Sequence, residues 1–115
     1  MTKVERLGPE SLGDAISNEA CLIIWFGMYG CAPCQLFEDR CDEALRDVSD
    51  QIRIKYVKLR PSQFRELQDR SVIDSVPVAI SFRRGKEHKR FEGLPGPIPL
   101  DEYRSQLVGI VNMLA

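Results

Sequence analysis

GMYGCAPCQLFEDRC, residues 27–41, carries three of the chain's four cysteines. Cys31 and Cys34 form a Cys-x-x-Cys, and Cys41 follows seven residues after Cys34. The run in front of it, CLIIWF at 21–26, is unbroken and apolar and reads as a central strand buried on both faces. A turn over 27–30 then leads into a long helix from about 32 to 49. Phe37, Cys41, Ala44, Leu45 and Val48 fall at helical spacing in it.

Zinc fits this pattern badly. A structural zinc site gathers four ligands around one ion. On one helix Cys34 and Cys41 lie about 10.5 Å apart along the axis, too far to share an ion or a disulfide. There is no second Cys-x-x-Cys, and the one histidine, His88, sits far along the chain.

Redox chemistry fits better. Cys31 stands just before the helix and Cys34 in its first turn. The helix start offers unpaired N–H groups and the positive end of the dipole, and both favour a thiolate at Cys31. Pro33 needs no hydrogen-bond partner there and stiffens the pair. The spacing supplies an exposed nucleophile and a resolving thiol behind it. Cys21 and Cys41 read as core residues, since free cysteine packs as a small hydrophobe.

Working outward, Pro9 opens a short helix with Leu12 and Ile16 on one face, after a short strand at 3–6. IRIKYVKL at 52–59 alternates as a second core strand, and Ser62 is placed to cap a short helix bearing Phe64 and Leu67. VAISF at 78–82 is a strand after Pro77, and the charged stretch that follows turns back at Gly85 as a hairpin. Residues 100–114 form a helix with Tyr103, Leu107, Ile110, Val111 and Leu114 inward. The order predicts an α/β protein with parallel strands first and an antiparallel edge last.

The 115 residues suit a single domain over 1–115, and 43% hydrophobic with 29% charged residues is a globular composition. The 16 basic and 17 acidic side chains nearly cancel, so no charge excess calls for nucleic acid or an anionic membrane. No apolar run is long enough to span a bilayer, and MTKVERLGPE has no apolar leader segment. The expectation is a cytoplasmic monomer with no nucleic-acid or membrane partner.

The sequence resembles thioredoxin over nearly its whole length. The resemblance rests on CAPC at 31–34, Val76–Pro77, and FRRG followed by FEG. It implies the thioredoxin fold: a central mixed β-sheet flanked by helices, with a cis-proline, Pro77, before the fourth strand. It also implies a substrate groove from Ala32, Pro33, Val76, Pro77 and Gly93, where an extended segment docks by strand addition. No bound cofactor is implied. The implied partners are disulfide-containing proteins and an external reductase.

The departures from the family are specific. The buried Asp usual six residues before the first cysteine is Trp25 here, and an indole only donates. Lys58 matches the lysine that neighbours that Asp, so it is expected to lack a carboxylate partner and to reach solvent or act on Cys34 directly. Trp25 and Lys58 are therefore the candidate modulators of the cysteines. Gly30 replaces a tryptophan and opens the groove, and Glu92 puts a charge beside it. The expected activity is disulfide reduction through Cys31 and Cys34. The alternatives are an oxidase or isomerase on the same fold, and a partner-binding adaptor.

Overall fold

The computed structural model describes residues 3–115. Five strands form one sheet in the order β1-β3-β2-β4-β5. They are β1 (Val4–Arg6), β2 (Cys21–Met28), β3 (Arg53–Leu59), β4 (Val78–Arg83) and β5 (Lys86–Glu92). β1, β3 and β2 run parallel; β4 and β5 run antiparallel. The helices are α1 (Leu12–Asn18), α2 (Ala32–Ala44), α3 (Pro61–Asp69) and α4 (Leu100–Leu114), with a 3-10 turn at Pro9–Ser11 before α1.

The continuous apolar run of β2 has a simple cause. Its alternate residues enter two different cores. Ile23 and Trp25 pack with Phe37, Tyr56, Tyr103 and Leu107 on the side of α2 and α4. Leu22, Ile24 and Phe26 pack with Val57, Leu67 and Ile80 on the side of α1 and α3. A central strand covered on both faces has no room for a polar side chain.

Four local expectations are corrected. The turn at 27–30 begins later, because Gly27 and Met28 continue β2 and pair with Lys58 and Leu59. α2 ends at Ala44 rather than 49. Leu45 and Val48 still pack on the core, but the stretch after them is polar and turns on itself, with the Gln51 N–H donating to Ser49 Oγ at 3.2 Å. α3 is capped by Arg60 with Pro61 at its first position, not by Ser62; Gln63 Oε1 accepts the Arg60 N–H at 2.8 Å. Cys21 is half-buried and belongs to neither core, short of the core packing expected for it, while Cys41 is buried.

The segment between β5 and α4 is tied down. Arg40 Nη1 donates to the Ile98 carbonyl at 2.6 Å, and Leu94 and Ile98 pack against the α2–α4 core.

Candidate functional site

Cys31 and Cys34 are joined as a disulfide, with Cα atoms 5.2 Å apart. Cys31 caps α2: its Sγ accepts the Cys34 N–H at 3.3 Å. Cys34 is fully buried on the inner face of the helix, whereas Cys31 is partly exposed and Ala32 and Pro33 are exposed. The two sulfurs are therefore inequivalent. Cys31 is the accessible one, and Cys34 lies behind it. The Cys34 N–H of the first helical turn faces the Cys31 sulfur, at the positive end of the helix dipole, an arrangement that stabilises negative charge there.

The sheet register brings the other expected residues to the same end. β2 leaves the sheet at Met28 and runs through Tyr29 and Gly30 into Cys31. Val78, the first residue of β4, pairs with Phe26 and with Glu92 of β5. Val76, Pro77 and Gly93 thus stand at the sheet end from which the cysteine loop departs. The Val76–Pro77 peptide is cis, and the Gly93 N–H donates to the Pro77 carbonyl at 2.9 Å. Gly93 holds φ +98°, and Gly30 φ +81°, conformations that favour glycine. Among the described residues no backbone group pairs with Val76, so its N–H and C=O are free to take an extended chain.

Trp25 is fully buried and stacks at a tilt on Phe37, ring centroids 4.9 Å apart. Its indole N–H has no hydrogen-bond partner among the described residues.

Lys58 is the main correction. It does not lack a carboxylate partner, because Glu38 of α2 supplies one, with Nζ 3.0 Å from Glu38 Oε2. The Tyr56 hydroxyl donates to the same oxygen at 3.0 Å, and Arg6 approaches Glu38 at 3.7 Å. The Glu38 charge and the burial of the ring together push the Tyr56 hydroxyl well above its ordinary pKa, burial being the larger cause. Gly27 makes the arrangement possible, since a Cβ there would collide with the Tyr56 hydroxyl. Sequence reasoning missed this cluster. The available signals were the helical i, i+4 spacing from Cys34 to Glu38 and a glycine in a strand otherwise filled with large residues.

Lys58 also shares a cavity with Cys31. With Met28, Gly30, Cys31, Ala32 and Gln35 it lines a cavity of about 190 Å³. Two larger hollows, about 560 Å³ between α1 and α3 and about 470 Å³ beside β1 and β3, contain no cysteine. Among the described residues no group of three or more His, Cys, Asp or Glu side chains could hold a metal ion.

Comparison with known proteins agrees with this geometry. No family model matches the chain. A chloroplastic thioredoxin Y of rice (Oryza sativa subsp. japonica) is 29% identical over 91 residues, 78% of this chain and 53% of that protein. The chain thus spans about half the length of that curated relative. Among solved structures, thioredoxin f2 of Chlamydomonas reinhardtii superposes with a TM-score of 0.70 at 16% identity, covering 96% of this chain and 94% of that one. Oxidised thioredoxin of Plasmodium falciparum gives 0.66 at 18% identity, covering 97% and 99%. These solved structures share the fold: a mixed five-stranded sheet with helices on both faces.

Proposed function

We propose that the chain is a thioredoxin-like thiol–disulfide oxidoreductase that reduces protein disulfides through Cys31 and Cys34. The observation that carries the reading is the inequivalence of the two sulfurs: Cys31 partly exposed at the helix cap, Cys34 buried in the first turn.

In the reduced protein the Cys31 thiolate attacks one sulfur of a substrate disulfide. A Cys31–substrate disulfide forms, and the other substrate sulfur leaves as a thiolate. The Cys34 thiolate then attacks the Cys31 sulfur. The Cys31–Cys34 disulfide forms and the second substrate thiolate is released. Two electrons pass from the cysteine pair to the substrate, and an external reductase must return them. Ala32, Pro33, Val76, Pro77 and Gly93 hold the substrate segment, whose backbone pairs with the free N–H and C=O of Val76. A reducing compartment, such as the cytoplasm, keeps this cycle turning.

Attack by Cys34 requires loss of its proton. Trp25 is no base. The departing substrate thiolate and water entering beside Lys58 are the acceptors in this reading.

Trapping the intermediate tests the proposal. Cys34→Ser should accumulate a mixed disulfide between Cys31 and a disulfide substrate such as insulin, and Cys31→Ser should form none. If Cys34→Ser traps nothing while the wild type is folded, the chain does not work by this exchange and the adaptor reading takes its place.

A further inference from the structure

We propose that Tyr29 and Arg60, backed by the Lys58–Glu38 pair, form a docking platform for an acidic side chain that flanks the substrate disulfide. The inference rests on the oxidoreductase reading above and adds a substrate class to it.

Tyr29 is 48% exposed. It stands two residues before Cys31, and its N–H is fixed to the Leu59 carbonyl at 3.1 Å. Two cations lie against the ring. Lys58 Nζ is 4.5 Å from its centroid and Arg60 Cζ is 5.7 Å away. Lys58 also borders the cavity that contains Cys31. The ring and its cations are therefore contiguous with the reactive sulfur.

The charges here do not cancel. Glu38 is shared by Lys58 and Arg6, and among the described residues Arg60 has no acidic side chain within ion-pair distance. Arg6, Lys58 and Arg60 against Glu38 leave a surplus of two positive charges, on a chain whose formal net charge is −1. Lys58 is already neutralised and nearly buried, so Arg60, exposed at the cap of α3, is the cation free to meet a partner. A guanidinium takes a carboxylate in a forked pair, and the adjacent ring offers apolar contact to the stem of a Glu or Asp. At the other side of the groove the exposed Glu92 precedes Gly93 and repels a carboxylate. The site is polarised, so an acidic flank suits only the Tyr29 side.

The test uses disulfide-linked peptides that differ at one position, Glu or Gln, placed either before or after the attacked cysteine. For one of the two placements the wild type should reduce the Glu peptide about fivefold faster in kcat/KM than its Gln counterpart, the scale of one exposed ion pair. The advantage should vanish in Arg60→Gln and shrink at high salt, while the rate on the Gln peptide stays unchanged. Arg60→Lys should keep part of it. Equal rates on Glu and Gln peptides at both placements, or an advantage that survives Arg60→Gln, overturn the platform and leave the oxidoreductase reading standing. If no peptide is reduced at all, both readings fail.

Discussion

Four cysteines in one chain do not share one reactivity, and the reason lies in what surrounds each sulfur. Cys31 receives an N–H from the start of α2 and borders solvent. Cys41 is 6% exposed, and burial, reinforced by the neighbouring Asp42, pushes its thiol up to about 12. Brief iodoacetamide treatment of the reduced protein at neutral pH, followed by mass mapping, should find the label on Cys31 and none on Cys41. Label on Cys41 in the folded protein would mean that its burial is wrong. The Cys31–Cys34 pair was legible from spacing and from its place between strand and helix. Glu38 was not, because a charged residue on a helix reads as solvated until the partner strand is known. Only the pairing of Gly27 with Lys58 shows that β3 delivers a lysine and a tyrosine to that carboxylate. Glu38→Gln leaves Lys58 facing an amide while both side chains remain mostly buried, 12% and 16% exposed. The expected loss, read by urea denaturation, is about 1–3 kcal/mol. No loss would show the pair to be solvated.

At the scale of elements, β2 is the piece on which both cores close. Gly27 is its one position without a side chain, and Tyr56 fills that space. Gly27→Val should force the Tyr56 ring away from Glu38 and destabilise the fold by about 1–3 kcal/mol, the usual cost of overpacking. A denaturation midpoint equal to that of the wild type would contradict this packing. Trp25→Ala, which empties the same cluster two residues earlier on the strand, should cost more, about 3–5 kcal/mol, by the same measurement. The elements were legible where one periodicity had no competitor. α4 spans Leu100–Leu114 as its inward residues predict, because Tyr103, Leu107, Ile110, Val111 and Leu114 describe one stripe. The end of α2 was not legible. Leu45 and Val48 keep helical spacing, yet the helix has already stopped, and both reach the core from a turn. Spacing reports which residues go inward, not whether the backbone between them is still helical. The cap of α3 was misplaced for a related reason: Ser62 has the chemistry of a cap, but Pro61 already fits the first helical position and moves the boundary forward.

Across the whole molecule, burial of protonated groups gives the stability a definite pH dependence. Cys41 and Tyr103 are each held up at about 12 by burial, and Tyr56 is raised as well. In the folded state these groups keep their protons beyond the pH at which the unfolded chain loses them. Their contribution is full below the unfolded thiol value, about 8.5, and is lost as pH rises toward the folded values. The urea midpoint of the wild type should therefore fall between about pH 9 and 11, and a midpoint flat across that window would contradict the burial of these groups. The same architecture carries the central claim, since the sheet ends, the start of α2 and the Val76–Pro77 loop converge on one disulfide pair. The most direct test of that claim is a glutathione redox titration of Cys31 and Cys34, followed by mass. A reversible pair with a potential near that of thioredoxin itself, about −270 mV, is the predicted result. A potential above about −200 mV, or no reversible Cys31–Cys34 disulfide at all, would contradict a protein built to reduce its partners.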